Sequence, residues 1–528
     1  MEIVKSDVLI IGGGLAGMLA ALSAGNCGKT VTIVSKSLVG KAGNTLVSGG
    51  GISSATGEAE NDAASYLTDI MHSGKGLNNG KLAQKLTAES PFILRQLEDY
   101  GVKLVRSDGS YKKRRPPGHS VPRNIPTDWT GLPYQNRGLS FMLPLLERMR
   151  EQNILTVSGV KIFQILKNDA RVIGAIGVDR EKKVYQFLAD GIVLATGGAG
   201  YLFSKTNNTR DITGDGLSLA LSAGCRLQDM EQIQFYPTMM FDPVKAPVSN
   251  PLFGAGAVLR NVDSERFMNR YDSMGDMATR DNMARAIFME IQTGKGIDGC
   301  VYMDCTGIPS DDLKKQYKDF YQFLLAAKID PTKDFIKVSP CVHYSLGGIV
   351  IDELASTGVP GLYAAGEICG GIHGANRLSG AALMEACVFG WQAGIQAASQ
   401  AAERCGSVQP SVGELLQSFA NDNNSTIFNT LRKKMWEDVS LVRSEQGLRQ
   451  VDDYIDRTAK EMVNGSSLRD TLRVAKTIVQ SALMRQESRG AHFRSDYPQT
   501  NPDFEGNVQC WLEENELLFK FVPINANG

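Results

Sequence analysis

Cysteine is sparse in this chain and shows no pattern. Nine cysteines are scattered over 528 residues, and the closest pair, Cys300 and Cys305, has no second pair or histidine cluster beside it. That argues against a disulfide framework and a zinc site, and sets the expectation of reduced thiols in a cytoplasmic protein. Excess charge of either sign is missing too: 56 basic residues face 57 acidic ones, a net charge of -1. Such a balance gives no footprint for nucleic acid or an acidic membrane surface. Long hydrophobic runs are absent, since stretches such as 7–11 and 192–195 are far too short to cross a bilayer, so no direct membrane insertion is expected. The N-terminus mixes acid and base and enters a strand at once, which is not a secretory signal pattern. No repeats or low-complexity segments occur.

Glycine, by contrast, is abundant at 55 residues and concentrated in blocks. The first block runs Asp7-Val-Leu-Ile-Ile-Gly12-Gly13-Gly14-Leu15-Ala16-Gly17. An apolar run ends at Gly12 and a small-residue helix pattern follows from Leu15 to about Gly25. Gly12 suits a tight turn, Gly14 lets a pyrophosphate approach the backbone, and Gly17 permits close helix–strand packing. Val31-Thr-Ile-Val34 reads as the returning strand, the context that makes this glycine pattern informative. After it, Ser35-Lys36 stands where a ribose-binding acid is usual, a poorer match to a simple nicotinamide enzyme. Two further strand ends, Ala195-Thr196-Gly197-Gly198 and Gly361-Leu-Tyr-Ala-Ala-Gly-Glu367, complete what a two-part flavin domain needs. Glu367 and its neighbouring glycine amides would meet the flavin's sugar-alcohol chain. No iron–sulphur ligand motif is present, so any such centre would belong to a partner.

The remaining pattern divides the chain. Helical periodicity covers about 81–100 and 139–151, and alternation over 154–188 suggests a small antiparallel meander. From about 233 the prolines at 237, 243, 247 and 251 interrupt regular structure, and a helix follows at 279–293. The expected fold class is α/β: a discontinuous Rossmann-like FAD-binding domain (1–232 and 343–405), an inserted α+β capping domain (233–342), and a C-terminal helical domain and tail (406–528). Helical periodicity in the last is clearest over 412–486.

The motifs resemble those of the succinate dehydrogenase and fumarate reductase flavoprotein family, which includes L-aspartate oxidase. They are Val34-Ser-Lys36, Thr213-Gly-Asp-Gly216, Glu265-Arg-Phe-Met-Asn-Arg-Tyr271, Thr279-Arg-Asp-Asn-Met-Ala-Arg285, His343-Tyr-Ser-Leu-Gly-Gly348, Ala364-Ala-Gly-Glu367, His373-Gly-Ala-Asn-Arg-Leu378 and Glu487-Ser-Arg-Gly-Ala-His-Phe-Arg-Ser-Asp-Tyr-Pro498. They run in family order over nearly the whole chain. The resemblance implies FAD held by Gly12, Gly14, Leu15, Ala16 and Gly17; by Ser35 and Lys36; and by Asn44, Thr45, Ser48, Gly49 and Gly50. It adds Ala195, Thr196, Gly197, Asp215, Glu367, Ala382 and Leu383. It further implies hydride transfer between flavin N5 and a carbon–carbon bond next to a carboxylate. His343 and Arg377 match the residues that grip one substrate carboxylate, and a guanidinium can do so through two parallel hydrogen bonds. Arg280 matches the arginine that delivers a proton on reduction. An arginine is a poor general acid unless a relay re-protonates it.

Three departures modify the expectation. The position of the family's flavin-linked histidine carries Asn44, so FAD should be non-covalent. The family's Gln-Phe-His-Pro-Thr reads Gln234-Phe-Tyr-Pro-Thr238, which puts Tyr236 in the place of a histidine that holds a second carboxylate. Ser379-Gly-Ala-Ala-Leu383 replaces a more polar stretch beside the flavin. The substrate expected is therefore a small carboxylic acid other than a simple four-carbon dicarboxylate. The alternatives are an ordinary fumarate reductase or succinate dehydrogenase subunit, an L-aspartate oxidase, and an electron-transfer subunit with a degenerate pocket. Pro116-Pro117 stands where the oxidase would place an acid for the substrate ammonium. The partners implied are the acid and an iron–sulphur electron-transfer subunit. His119, His492 and the basic run Lys112-Lys-Arg-Arg115 read as packing residues and a solvated loop.

Overall fold

Val8–Ile11 is buried along its whole length, as a strand flanked on both sides must be. A computed structural model describes residues 1–58, 62–248, 251–400, 425–462 and 467–524. In it Val8–Ile11 is the middle strand of a five-stranded sheet ordered Leu362–Ala364, Gly191–Leu194, Val8–Ile11, Val31–Ser35, Leu155–Ser158. Every neighbouring pair is parallel. The three glycine-rich blocks, remote in sequence, thus leave the carboxyl ends of three adjacent strands, where open α/β sheets bind ligands.

The predicted helices form close to their expected limits, at Leu15–Asn26, Gly80–Asp99, Leu139–Glu151 and Arg280–Gln292. Within 154–188, Lys161–Asn168, Arg171–Val178 and Val184–Leu188 make the antiparallel meander. Leu155–Ser158 instead pairs in parallel with Val31–Ser35, so that part of the expectation is corrected. Alternation reports a strand but not its partner.

Ile233–Met240 and Ile336–Ser345 pair antiparallel and form the spine of a second five-stranded sheet. Its own core includes Phe267, Ile287 and Leu324. Phe235 lies opposite Val342 and Tyr236 opposite Cys341, which brings Tyr236 and His343 together at the base of the spine. Towards the C-terminus come helices Ser425–Asp438, Glu445–Lys460 and Ser467–Met484. Residues 412–424 of the expected helical region lie outside those described.

The expected tail is a hairpin, Gly506–Glu513 with Glu516–Pro523, and it extends a sheet through Leu227–Gln228. Its turn uses Glu514 and Asn515 at positive φ. The family motif from Glu487 onward belongs to a buried ionic network. Arg485 donates to Glu231 at 2.5 Å, Glu487 at 3.1 Å and Asp229 at 3.2 Å, all deeply buried. His492 is likewise structural, against Arg443. Arg485→Met leaves Asp229 and Glu231 without their ion-pair partner, while Glu487 keeps Arg489, and should cost about 3–5 kcal/mol in denaturant unfolding. A change below about 1 kcal/mol would show that the network is dispensable.

Candidate active site

The Leu15–Asn26 helix opens with no side-chain cap at Gly14 and no acid in its first turn; the Leu15 amide donates to the Thr45 hydroxyl at 3.2 Å, and the amides that follow are left for an anion. Gly12 has φ +119°, and a Cβ there would lie 2.2 Å from the Ala195 carbonyl oxygen. A Cβ on Gly17 would lie 2.0 Å from the Gly12 oxygen, whereas one on Gly14 would meet nothing closer than the Thr45 hydroxyl at 3.6 Å. The protein closes on itself at Gly12 and Gly17 and stays open at Gly14, as a dinucleotide's pyrophosphate requires.

From this point a cavity of about 800 Å³ extends under the second sheet, within the range of small-molecule sites. Every residue predicted to bind cofactor or substrate lines it except Gly17, whose part is the packing just described. The buried hydroxyls of Ser48 and Thr196 on its wall have no partner among the described residues, as suits a polar ligand. Lys36 pairs with Asp215 at 2.5 Å and donates to the Thr213 hydroxyl at 2.7 Å. Burial alone would raise the Asp215 carboxyl, but Lys36 and Lys161 hold it at about 2. Glu367 takes 2.8 Å and 3.1 Å hydrogen bonds from Asn44 Nδ2 and the Ser345 amide. Burial pushes its carboxyl up to about 7 against those bonds. Asn44 also donates to Asn208 at 2.8 Å, so the asparagine is fully engaged by protein.

At the far end Arg280, His343 and Arg377 converge. Arg377 is 8 % exposed, lies 4.8 Å over the Tyr344 ring, and is lowered from the usual guanidinium range, first by burial. His343 is driven well below the ordinary imidazole value by burial, then by the charges of Arg377 and Arg280. Asn207 accepts from Asn208 through Oδ1 and donates from Nδ2 to His343 Nδ1 at 2.9 Å. Asn207 Oδ1 lies farther from the same ring nitrogen, at 3.3 Å, so the shorter contact favours the tautomer with its proton on Nε2, a donor for a carboxylate oxygen. Among the described residues neither arginine is ion-paired, and the Nε of each is buried without a partner. Such unneutralised cations suit an anionic ligand.

Tyr236 sits among these groups, 5.7 Å from the His343 ring and 5.9 Å from the Arg280 guanidinium carbon. Its hydroxyl is already given to the Val248 carbonyl at 3.0 Å, and burial raises it to about 12. It is a neutral wall that cannot replace a cation. Sequence reasoning missed Asn207 and Arg137, both on the cavity. No local motif marks either. The basic run is also divided by the fold: Arg114 reaches the cavity, while Lys113 pairs with Glu58. His119 Nε2 donates to the Ser379 carbonyl at 2.8 Å, a packing role.

Comparison with known proteins fits this geometry. The family model for the FAD binding domain matches residues 7–383, and that for the fumarate reductase flavoprotein C-terminus matches 428–523. The chain is 34% identical to one subunit of the fumarate reductase (CoM/CoB) of Methanothermobacter marburgensis, covering 96% of this chain and 97% of that protein. It is 33% identical to an L-aspartate oxidase of Yersinia pestis, covering 93% and 96%. Among solved structures, Sdh1 of Mycobacterium smegmatis in complex with UQ1 superposes with a TM-score of 0.87 at 32% identity, over 99% of this chain and 95% of that one.

Proposed function

The chain belongs to the FAD-dependent fumarate reductase and succinate dehydrogenase flavoprotein family, and from that premise we propose that it reduces, or forms, the α,β carbon–carbon double bond of a carboxylic acid other than fumarate. The observation that carries this is the convergence of Arg280, His343 and Arg377 on the cavity, with neither arginine in an ion pair among the described residues. Bound FAD supplies or accepts the hydride. It is held without a covalent link, because asparagine stands at position 44.

The rest falls to the chain's own residues. Arg377 and His343 Nε2 bind one carboxylate and hold the reacting carbons in place. They also stabilise the negative charge that builds on that carboxylate as the double bond is reduced. Arg280 donates the proton to the second carbon. Asp281, next in sequence, has its carboxyl raised by burial while Arg285 and Arg280 draw it down, and we assign it the return of a proton to Arg280. The cap excludes water from this transfer. Tyr236 offers no charge to a second carboxylate, which disfavours a four-carbon diacid held in the family's way.

Aspartate oxidation is disfavoured at Pro116-Pro117. The loop that follows packs on the segment after Arg377, with Gly118 against Leu378 and His119 on Ser379, and it brings no acid for an ammonium. Free thiols at all eight described cysteines accord with a cytoplasmic setting. An iron–sulphur subunit is the electron partner we propose.

The test uses purified protein under anaerobic conditions. Acid precipitation should release the FAD into the supernatant. Chemically reduced protein should then be reoxidised fastest by an enoate other than fumarate, within a panel of crotonate, cinnamate, fumarate and longer enedioates. Fastest reoxidation by fumarate would overturn the substrate assignment. No reoxidation by any enoate would replace it with the electron-transfer reading.

A further inference from the structure

Beyond Arg280 and Arg377, two more guanidiniums on the cavity wall have no ion-pair partner among the described residues: Arg114, which is exposed, and Arg137, which is half-buried. Arg137 lies in the loop that leads into the Leu139–Glu151 helix, lines the cavity, and keeps its Nε buried and unpartnered. Two aromatic faces cover it: the guanidinium carbon is 4.5 Å from the Tyr134 ring centre and 5.5 Å from that of Trp129. Stacking of this kind fixes a planar cation and strips water from its faces, while its N–H edges remain free to donate.

The backbone beside it is held against the predicted flavin loop. Gly138 donates to the Leu46 carbonyl at 3.3 Å, and a Cβ on Gly50 would lie 3.1 Å from the Arg137 Cβ. On the other side the aromatic stack continues into the cap. Tyr134 packs on Phe323 at 4.9 Å, and Gln135 donates to the Lys245 carbonyl at 3.0 Å. Arg137 and Arg280 both act electrostatically on the Tyr236 phenol, so the guanidinium stands near the position where a phenol has replaced a cation-forming imidazole. Asp319 also lines the cavity and forms no ion pair with Arg137.

We propose that Arg137, walled by Trp129 and Tyr134, is a second anion subsite that holds a distal carboxylate of the substrate. The proposal rests on the enoate reading above and deepens it: the substrate is an enoic acid with a second oxyanion. That oxyanion is bound from the FAD-domain loop and not by the residue at position 236. Charge supports the assignment: a monoanion gripped by Arg377 would leave the half-buried Arg137 and Arg280 guanidiniums on the same cavity without an anion. The Tyr134–Phe323 stack joins the wall of this cation to the cap.

The experiment titrates the oxidised holoenzyme, anaerobically, with succinate, glutarate, adipate and suberate against butyrate. Perturbation or bleaching of flavin absorbance is the readout, in wild type, Arg137→Gln and Arg137→Lys. Wild type should prefer one of the diacids to butyrate. In Arg137→Gln the diacid-to-butyrate affinity ratio should fall about 30-fold, the scale of a lost charge-assisted bidentate pair. Arg137→Lys should recover part of the ratio, with FAD content unchanged in both variants. An unchanged ratio in Arg137→Gln, or no diacid preference in wild type, would overturn the subsite. Loss of FAD from Arg137→Gln would overturn it as well, by assigning the arginine to the cofactor. The enoate reading fails separately, if no enoate reoxidises the reduced wild-type flavin even though diacids bind.

Discussion

Arg280→Gln lowers the single-turnover rate of flavin reoxidation by the best enoate about 10³- to 10⁴-fold, with FAD content and the unfolding midpoint little changed. The magnitude is that of a general acid removed together with a charge that stabilises the reacting anion. The structure separates this from a surface role. Asp276, four residues before Arg280, is occupied by Arg266 at 3.1 Å and by the Leu259 amide at 2.8 Å. Arg280 itself lies at the start of its helix on the cavity, where Thr279 caps the amide of Asn282. A rate within tenfold of wild type would return the residue to a structural role and leave the proton donor unassigned. Because the substitution removes a charge and leaves the helix cap intact, the loss should appear in the rate of chemistry and only slightly in substrate affinity.

The second large effect separates two glycines of one motif. Gly17→Val should abolish soluble, FAD-loaded protein. Its Cβ would begin 2.0 Å from the Gly12 carbonyl oxygen, so backbone must move at the centre of the parallel sheet. The cost should exceed about 3 kcal/mol, above the usual range for overpacking because no flexible side chain can give way. Gly14→Ala should fold normally, since its Cβ meets only the Thr45 hydroxyl at 3.6 Å, yet bind FAD at least about tenfold more weakly. Thermal unfolding of the flavin-free proteins, followed by FAD titration, checks both. Equal damage from the two substitutions would mean that Gly14 also serves the fold and that the open space at the helix start is not the pyrophosphate's.

Much of this was legible in the chain because the signals are local. Helix Leu139–Glu151 begins and ends where its apolar period does. The first glycine block is readable for the same reason, since turn, close approach and helix start are properties of neighbouring residues. The terminal hairpin is marked in only one of its strands: burial alternates through Gly506–Trp511, whereas Glu516–Pro523 shows no such alternation. Leu155–Ser158 could not have been placed, because a parallel partner is chosen by the whole sheet.

The site divides along the same line. By itself the sequence determined the cofactor class and the strand-end glycines, because each belongs to a short local motif, and it singled out Arg280, His343 and Arg377 through the family resemblance that such motifs carry. Only the tertiary structure decided that Tyr236 gives its hydroxyl to the Val248 carbonyl, that Asn207 sets the His343 tautomer, and that Arg137 stands between two aromatic rings at the same cavity. Those facts depend on distances between loops and strands far apart in the chain, and charge and hydrogen-bond geometry exist only once packing has fixed those distances.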